Sequence, residues 1–168
     1  MKHRSRFATR FATNALRWTA GLLAVLVAGC GERNPEHGRP AVTAGQQLYR
    51  NYCLSCHQAD GGGVPGMYPP LIDSEWVQGD KGRLVRLLLN GMRGPIEVKG
   101  ETYDNIMTPH GHLSDQDLAA VLTFVRSGFD NDASPVTPEE VAAVRAANTQ
   151  RGLWQASELE QATGIPGM

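Results

Sequence analysis

The chain has 168 residues, 41% of them hydrophobic and 20% charged, with a formal net charge of -1 at pH 7. That balance argues against binding nucleic acid or anionic lipid headgroups through charge, which needs a concentrated basic surface. Three cysteines, Cys30, Cys53 and Cys56, complete the thiol inventory, and each needs a place in any account of the chemistry.

The first segment carries Lys2, Arg4, Arg6, Arg10 and Arg17 with no acid, followed by an apolar run from Ala20 to Ala28. This is the pattern of a signal peptide over residues 1–29. The run is too short for a permanent membrane helix, which takes about 20 apolar residues. It ends in Val27-Ala28-Gly29-Cys30, which resembles the lipobox of bacterial lipoproteins, where the cysteine is acylated as the leader is removed. The competing reading is a secreted protein cut at a small-residue site, with Cys30 a stray thiol. Lipidation is favoured, because an exported protein with an odd free thiol is otherwise unusual. Five of the 16 basic residues lie in the leader, so the mature chain sets 11 bases against 17 acids, a net charge near -6. Residues 30–41 are polar and hold Pro35, Gly38 and Pro40, the composition of a tether. Ten such residues reach at most about 35 Å when extended.

A small domain is expected over residues 42–130. Thr43-Ala44-Gly45-Gln46 has the form of a capping box and opens a helix that leads into Cys53. There the motif Cys53-Leu54-Ser55-Cys56-His57 sets two thiols three positions apart with a histidine directly after. Each thiol can add to one vinyl group of a porphyrin, and His57 then stands where its imidazole meets the iron, so the motif reads as a covalent haem c site. Half a zinc site is disfavoured because two further Cys or His ligands at similar spacing are lacking. A thioredoxin-like pair is disfavoured because no strand pattern precedes Cys53. The stretch Gly61-Gly62-Gly63-Val64-Pro65-Gly66 either lets backbone pass close to a flat ligand or is a plain loop. Trp76 is likewise a candidate for haem packing, against the ring or a propionate, or ordinary core.

A second helix is expected from Asp80, with Leu84, Leu87 and Leu88 on one side and a stop at Asn90-Gly91. A third starts at Ser114, with Leu118, Val121, Leu122 and Val125 at helical spacing. No strand signal rises above these, so the fold class expected is all-α. Such a small domain has a marginal core of its own, and a covalently held haem supplies apolar surface for the helices to pack around.

The second axial position decides between electron transfer and small-molecule chemistry. Met67, Met92, Met107, His110 and His112 are the candidates. Met107 is chosen because Ile106-Met107-Thr108-Pro109 is a proline-stiffened loop ahead of the last helix, able to hold a weak thioether bond. Met67 lies in the loop expected to run along the proximal side, and Met92 at a helix end reads as core filler. His110 is the runner-up.

Taken together, Gly45 and Tyr49, the Cys53–His57 motif, Tyr68-Pro69-Pro70-Leu71, and Ile106-Met107-Thr108-Pro109-His110-Gly111 with the closing helix resemble a monohaem class I cytochrome c over roughly residues 44–126. The resemblance implies the small cytochrome c fold around one haem, with the first and last helices crossing where Gly45 and Tyr49 meet the face around Val121 and Phe124. It also implies that the Pro69 carbonyl accepts a hydrogen bond from the proximal His57, an outer contact that orients a metal ligand. Thr108 departs from the family, where a second proline is common. The stretch Leu84 to Val98 is similar to cytochrome domains that serve periplasmic dehydrogenases or respiratory oxidases.

Residues 131–168 form an extension. Asn131 to Pro135 reads as a polar break, and Val136-Thr137-Pro138-Glu139-Glu140-Val141 combines cap, first-turn proline, capping acid and apolar staple, so a helix follows. The arm is expected to pack on its own domain, with a docking surface for a partner as the alternative.

These readings converge on a non-enzymatic one-electron carrier with redox protein donors and acceptors, no nucleic-acid partner and no small-molecule substrate, anchored by lipid on the periplasmic side of a bacterial membrane. Gly31, rather than an aspartate after Cys30, leans towards the outer membrane. A haem gas sensor or small haem enzyme with an exchangeable distal ligand is the alternative.

Overall fold

The computed structural model of the protein describes residues 43–149 and 152–167. The expected signal segment, Cys30 and the tether lie outside the described residues. Among the described residues there are seven helices and four strands of two or three residues each.

Helix α1 (Ala44–Tyr52) starts at Thr43, whose hydroxyl accepts the Gln46 N–H at 3.1 Å. Helix α5 (Asp115–Ser127) starts the same way at Ser114, which accepts from the Asp117 N–H at 3.1 Å. Each bond satisfies one of the amide donors that a helix start leaves without a partner. The two helices cross at Gly45, where a missing side chain lets the backbone of α5 approach at Ala120 and the Phe124 side chain close over it. Tyr49, one turn on, sets its ring 5.6 Å from that of Phe124 and 5.0 Å from that of Phe129. This crossing fixes the end of α1, from which the chain runs directly into Cys53.

Helix α4 (Lys81–Asn90) is capped by Asp80, which accepts from the Arg83 N–H at 2.7 Å, and ends at Gly91 with φ of 68°. The sequence places Leu84, Leu87 and Leu88 on one covered side. In the structure Val85 and Leu89 are buried as well, because the C-terminal extension covers a second side of the helix. That cover is α6 (Pro138–Ala147), which starts with a complete capping box between Thr137 and Glu140. Its Val141 and Val144 are essentially inaccessible, a burial worth about 1.5–3 kcal/mol for each such side chain. Lys81 bonds Glu140 at 2.8 Å, and Arg145 bonds Asp115 at 2.7 Å and the Gly111 and Leu113 carbonyls at 2.8 Å. Partly exposed ion pairs like these contribute at most about 1 kcal/mol each.

The mostly helical architecture agrees with the all-α expectation, to which the structure adds two short strand pairs that the sequence does not signal. Strands β2 (Ile96–Val98) and β3 (Glu101–Tyr103) form an antiparallel hairpin, closed by Lys99 and Gly100 with φ of 53° and 77°. Two consecutive positive φ angles define the two-residue turn whose twist matches a hairpin. Its inner residues Val98 and Tyr103 are buried, but three-residue strands give too short an alternation to stand out from loop.

The polar break at residues 131–135 is also more than a break. Asn131 is only 6% exposed. Its amide nitrogen donates to the Leu71 and Val125 carbonyls at 2.8 and 3.0 Å, and its oxygen accepts from the Ser74 N–H at 3.1 Å. A single side chain thus ties the loop after Pro70 to the end of α5.

Candidate functional site

Helix α2 (Leu54–His57) is one turn long, and the Cys53 carbonyl accepts from the His57 N–H at 2.9 Å. In a helical turn, residues three and four apart share a face. Cys53, Cys56 and His57 therefore all open onto one cavity of about 260 Å³. Leu84, Leu87 and Leu88 of α4 and Val121, Leu122 and Val125 of α5 line it, together with Pro69, Leu71, Trp76, Val98 and Met107. A slot this apolar, with two thiols and an imidazole at its edge, suits a flat hydrophobic ligand carrying a metal at its centre.

The Nδ1 of His57 lies 3.0 Å from the Pro69 carbonyl oxygen. A carbonyl only accepts, so Nδ1 carries the proton and Nε2 keeps its lone pair for a metal. Burial holds the imidazole below its ordinary pKa, the bond to Pro69 working against this and the neighbouring His110 with it. The ring is therefore neutral at pH 7, the form that ligates. Burial also pushes the Cys53 thiol up to about 11, with Cys56 adding to the effect. A thiol that stays protonated is a poor exchange nucleophile, which counts against a redox disulfide.

Pro69 is held in place by its loop. Val64 and Tyr68 exchange backbone hydrogen bonds at 2.8 Å, and the Leu71 N–H donates to the Gly61 carbonyl at 2.7 Å. The glycine run serves this local packing: a Cβ on Gly63 would fall 2.3 Å from the Tyr68 carbonyl oxygen, and none of Gly61, Gly62 and Gly63 lines the cavity. The close backbone passage is thus with the protein's own loop. Trp76 does line the cavity, and its indole N–H is engaged by the Glu97 carbonyl at 3.0 Å, so only its ring faces the slot.

Of the candidates for the second axial position, Met67, Met92, Met107 and His110 all line the cavity and His112 does not. They differ in how they are held. Met67 is 47% exposed. Met107 and Met92 exchange both backbone hydrogen bonds at 3.0 Å. Met92 itself is 3% exposed and packed in the core. His110 stacks edge-on with Tyr52, at 5.9 Å between ring centres. Two supports of the Met107 segment were not legible in the sequence. One is the pairing with Met92. The other is Asn105, whose amide donates to the Met67 carbonyl at 3.0 Å and so joins the loop before Met107 to the loop before Pro69. Neither leaves a motif, since both depend on loops far apart in the chain.

An apolar slot between helices, with a Cys-x-x-Cys-His turn at its edge and a carbonyl behind the histidine, is the architecture of a protein that carries haem covalently. A family profile described as Cytochrome c matches residues 42–129, and the chain belongs to the cytochrome c family. Its cofactor is covalently bound haem c. The chain is 37% identical over 111 residues to cytochrome c-552 of Thermus thermophilus, covering 61% of this chain and 84% of that protein. It is 29% identical over 132 residues to the fructose dehydrogenase cytochrome subunit of Gluconobacter japonicus, 74% of this chain but 26% of that protein. It is 28% identical over 117 residues to the cbb3-type cytochrome c oxidase subunit FixP of Sinorhizobium medicae (strain WSM419), 68% of this chain and 39% of that subunit. Among the described residues, no helix is long and apolar enough to cross a membrane.

Proposed function

We propose that this protein is an exported, lipid-anchored one-electron carrier whose haem is attached through Cys53 and Cys56 and ligated by His57 and Met107. When bound, haem c supplies an iron that cycles between ferric and ferrous. The observation that carries the proposal is the convergence of all four side chains on one apolar cavity, with the His57 Nδ1 proton committed to Pro69. Cys53 and Cys56 act as two covalent tethers that prevent loss of the cofactor. His57 offers Nε2 in a fixed orientation. Met107 offers a thioether from a segment pinned on one side by Met92 and stiffened by Pro109. The leucines and valines of α4 and α5 exclude water, and an apolar site with a thioether ligand favours the ferrous state, so a positive potential is expected. No substrate bond is made or broken. Donor and acceptor are redox proteins, a reading supported by relatives named as subunits of a dehydrogenase and an oxidase. Attachment is through an acylated Cys30 on the periplasmic side, so Cys30→Ser releases the protein from membranes.

Optical spectra of the mature protein, ferric, ferrous and ferrous with carbon monoxide, test the site. The expected result is a ferric charge-transfer band between methionine sulfur and iron, and no response to carbon monoxide. Met107→Ala should keep the haem attached, lose that band, bind carbon monoxide and lower the potential. His57→Ala should abolish proper ligation. Attached haem with an unchanged potential in Met107→Ala would sink the ligand assignment. Prompt carbon monoxide binding by the unaltered protein would instead put a sensor or enzyme with an exchangeable ligand first.

A further inference from the structure

The last segment of the chain adds a strand against the loop that holds Met107. Strand β4 (Trp154–Gln155) pairs in parallel with β1 (Met92–Arg93), with Met92 opposite Trp154 and Arg93 opposite Gln155. The Trp154 N–H donates to the Gly91 carbonyl at 3.1 Å. On its other edge, Met92 exchanges two hydrogen bonds with Met107. The order in space is therefore β4, then residues 91–93, then Met107. Three segments separated by 15 and 47 positions in sequence form three adjacent backbone layers, and the middle one has support on both sides.

Gly91 sits where the layers are tightest. Its φ is +68°, and a Cβ built on it would lie 2.3 Å from the Met107 carbonyl oxygen and 2.8 Å from a methyl of Leu153. The Leu153 side chain and the Met107 backbone thus close on the same glycine from two directions. Strand β4 is in turn anchored away from the cavity by α7 (Ala156–Gln161), whose Ala156 and Leu159 are buried. The turn after α7 is clasped to α4: Arg86 donates to the Ala162 and Gly164 carbonyls at 2.9 Å, and the Gly164 N–H donates to the Asp80 carboxylate at 3.0 Å.

We infer that residues 152–164 are a latch on the distal ligand, with Leu153 and Trp154 as positioning residues that hold Met107 in place through Gly91 and Met92. This rests on the assignment of Met107 as the axial ligand and adds to it a reason why a weak bond to iron stays closed. The Met107 backbone can withdraw either by parting from Met92 or by carrying Met92 with it. The latch holds Met92 from behind and so opposes the second route. The extension is then part of the redox site, although none of its residues lines the cavity.

The test uses the mature holoprotein, a version ending at Asn148, and the milder Leu153→Ala. Val141→Ala, which empties part of the buried face of α6 but leaves β4 on β1, controls for general loss of stability. Two readouts are taken. Amide hydrogen exchange at Met92 and Met107 reports the backbone layers without reference to the iron. Carbon monoxide binding by the ferrous protein reports how often the distal ligand leaves. Both latch variants should speed exchange at these two amides by about five- to tenfold, the population change expected when one net hydrogen bond is lost, and should show slow carbon monoxide binding that the parent lacks. Val141→Ala should move neither in proportion. Unchanged exchange at Met107 in Leu153→Ala and in the shortened chain would overturn the latch whatever the ligand is. Faster exchange with unaltered carbon monoxide binding, in a protein where Met107→Ala does open the iron, would overturn its control of the ligand. If Met107→Ala leaves carbon monoxide binding as it was, the axial assignment has failed, and the exchange data alone then report a backbone brace.

Discussion

Gly45→Ala tests whether the α1/α5 crossing is as tight as the structure has it. An added Cβ would lie 2.2 Å from the Ala120 carbonyl oxygen and 2.7 Å from the Phe124 Cβ. To restore even a 3.0 Å contact, the oxygen at 2.2 Å would have to retreat by about 0.8 Å. The obstacle is the backbone of α5, which cannot rotate aside as a side chain does. Overpacking of this kind costs about 1–3 kcal/mol, and a rigid obstacle places it in the upper half of that range. Alanine in a helix returns about 1 kcal/mol through its better propensity. The net expectation is a loss of roughly 1–2 kcal/mol. Urea denaturation of the mature holoprotein measures it, with Gly152→Ala as the control, since nothing lies within 4 Å of a Cβ there. That control should stay within about 0.5 kcal/mol of the parent. A Gly45→Ala protein as stable as the parent, or more so, would refute the close approach.

Two further substitutions probe the supports of the site. Tyr49 is buried, which raises its phenol pKa and keeps it protonated, and its hydroxyl donates to the Gln58 carbonyl at 2.6 Å. Gln58 holds a φ of 62° directly after His57, so Tyr49→Phe should cost about 1 kcal/mol in urea denaturation by leaving that carbonyl without its donor; no loss would mean that water replaces the bond. Burial alone would raise the Glu140 carboxyl, but the bonds from Lys81 and the Thr137 amide outweigh it and hold the group below the usual 4.5. A carboxylate whose folded pKa is depressed stabilises the fold above its unfolded pKa, and the gain is lost as pH falls through the folded value. Glu140→Gln should therefore destabilise by about 1 kcal/mol at pH 7, and the gap to the parent should narrow below the ordinary carboxylate pKa. A gap that is constant down to the acid limit would remove the pH-linked role of this pair.

Much of the chemistry was legible because it is local. Two thiols and a histidine within five residues share a face of a single turn wherever that turn sits, so Cys53, Cys56 and His57 announce a haem site before any fold is known. The caps at Thr43, Asp80, Ser114 and Thr137 were equally readable, since a cap is a contact between residues three apart. The proposed methionine ligand is harder to single out. Met67, Met92 and Met107 all reach the cavity, and what separates them is how firmly each is held, a property of loops that meet only in the folded chain.

Family, cofactor and helical frame could be read before any fold was known, because short-range spacing and periodicity act before distant parts of the chain come together. The folded chain was needed to see that Asn131 is a buried node, that the Trp76 N–H is taken by Glu97, and that the last segment braces the Met107 loop by way of Gly91 and Met92. Each of these is a hydrogen bond or close contact between segments some 15 to 60 residues apart. No local pattern encodes such a pairing, since either partner would be unremarked without the other.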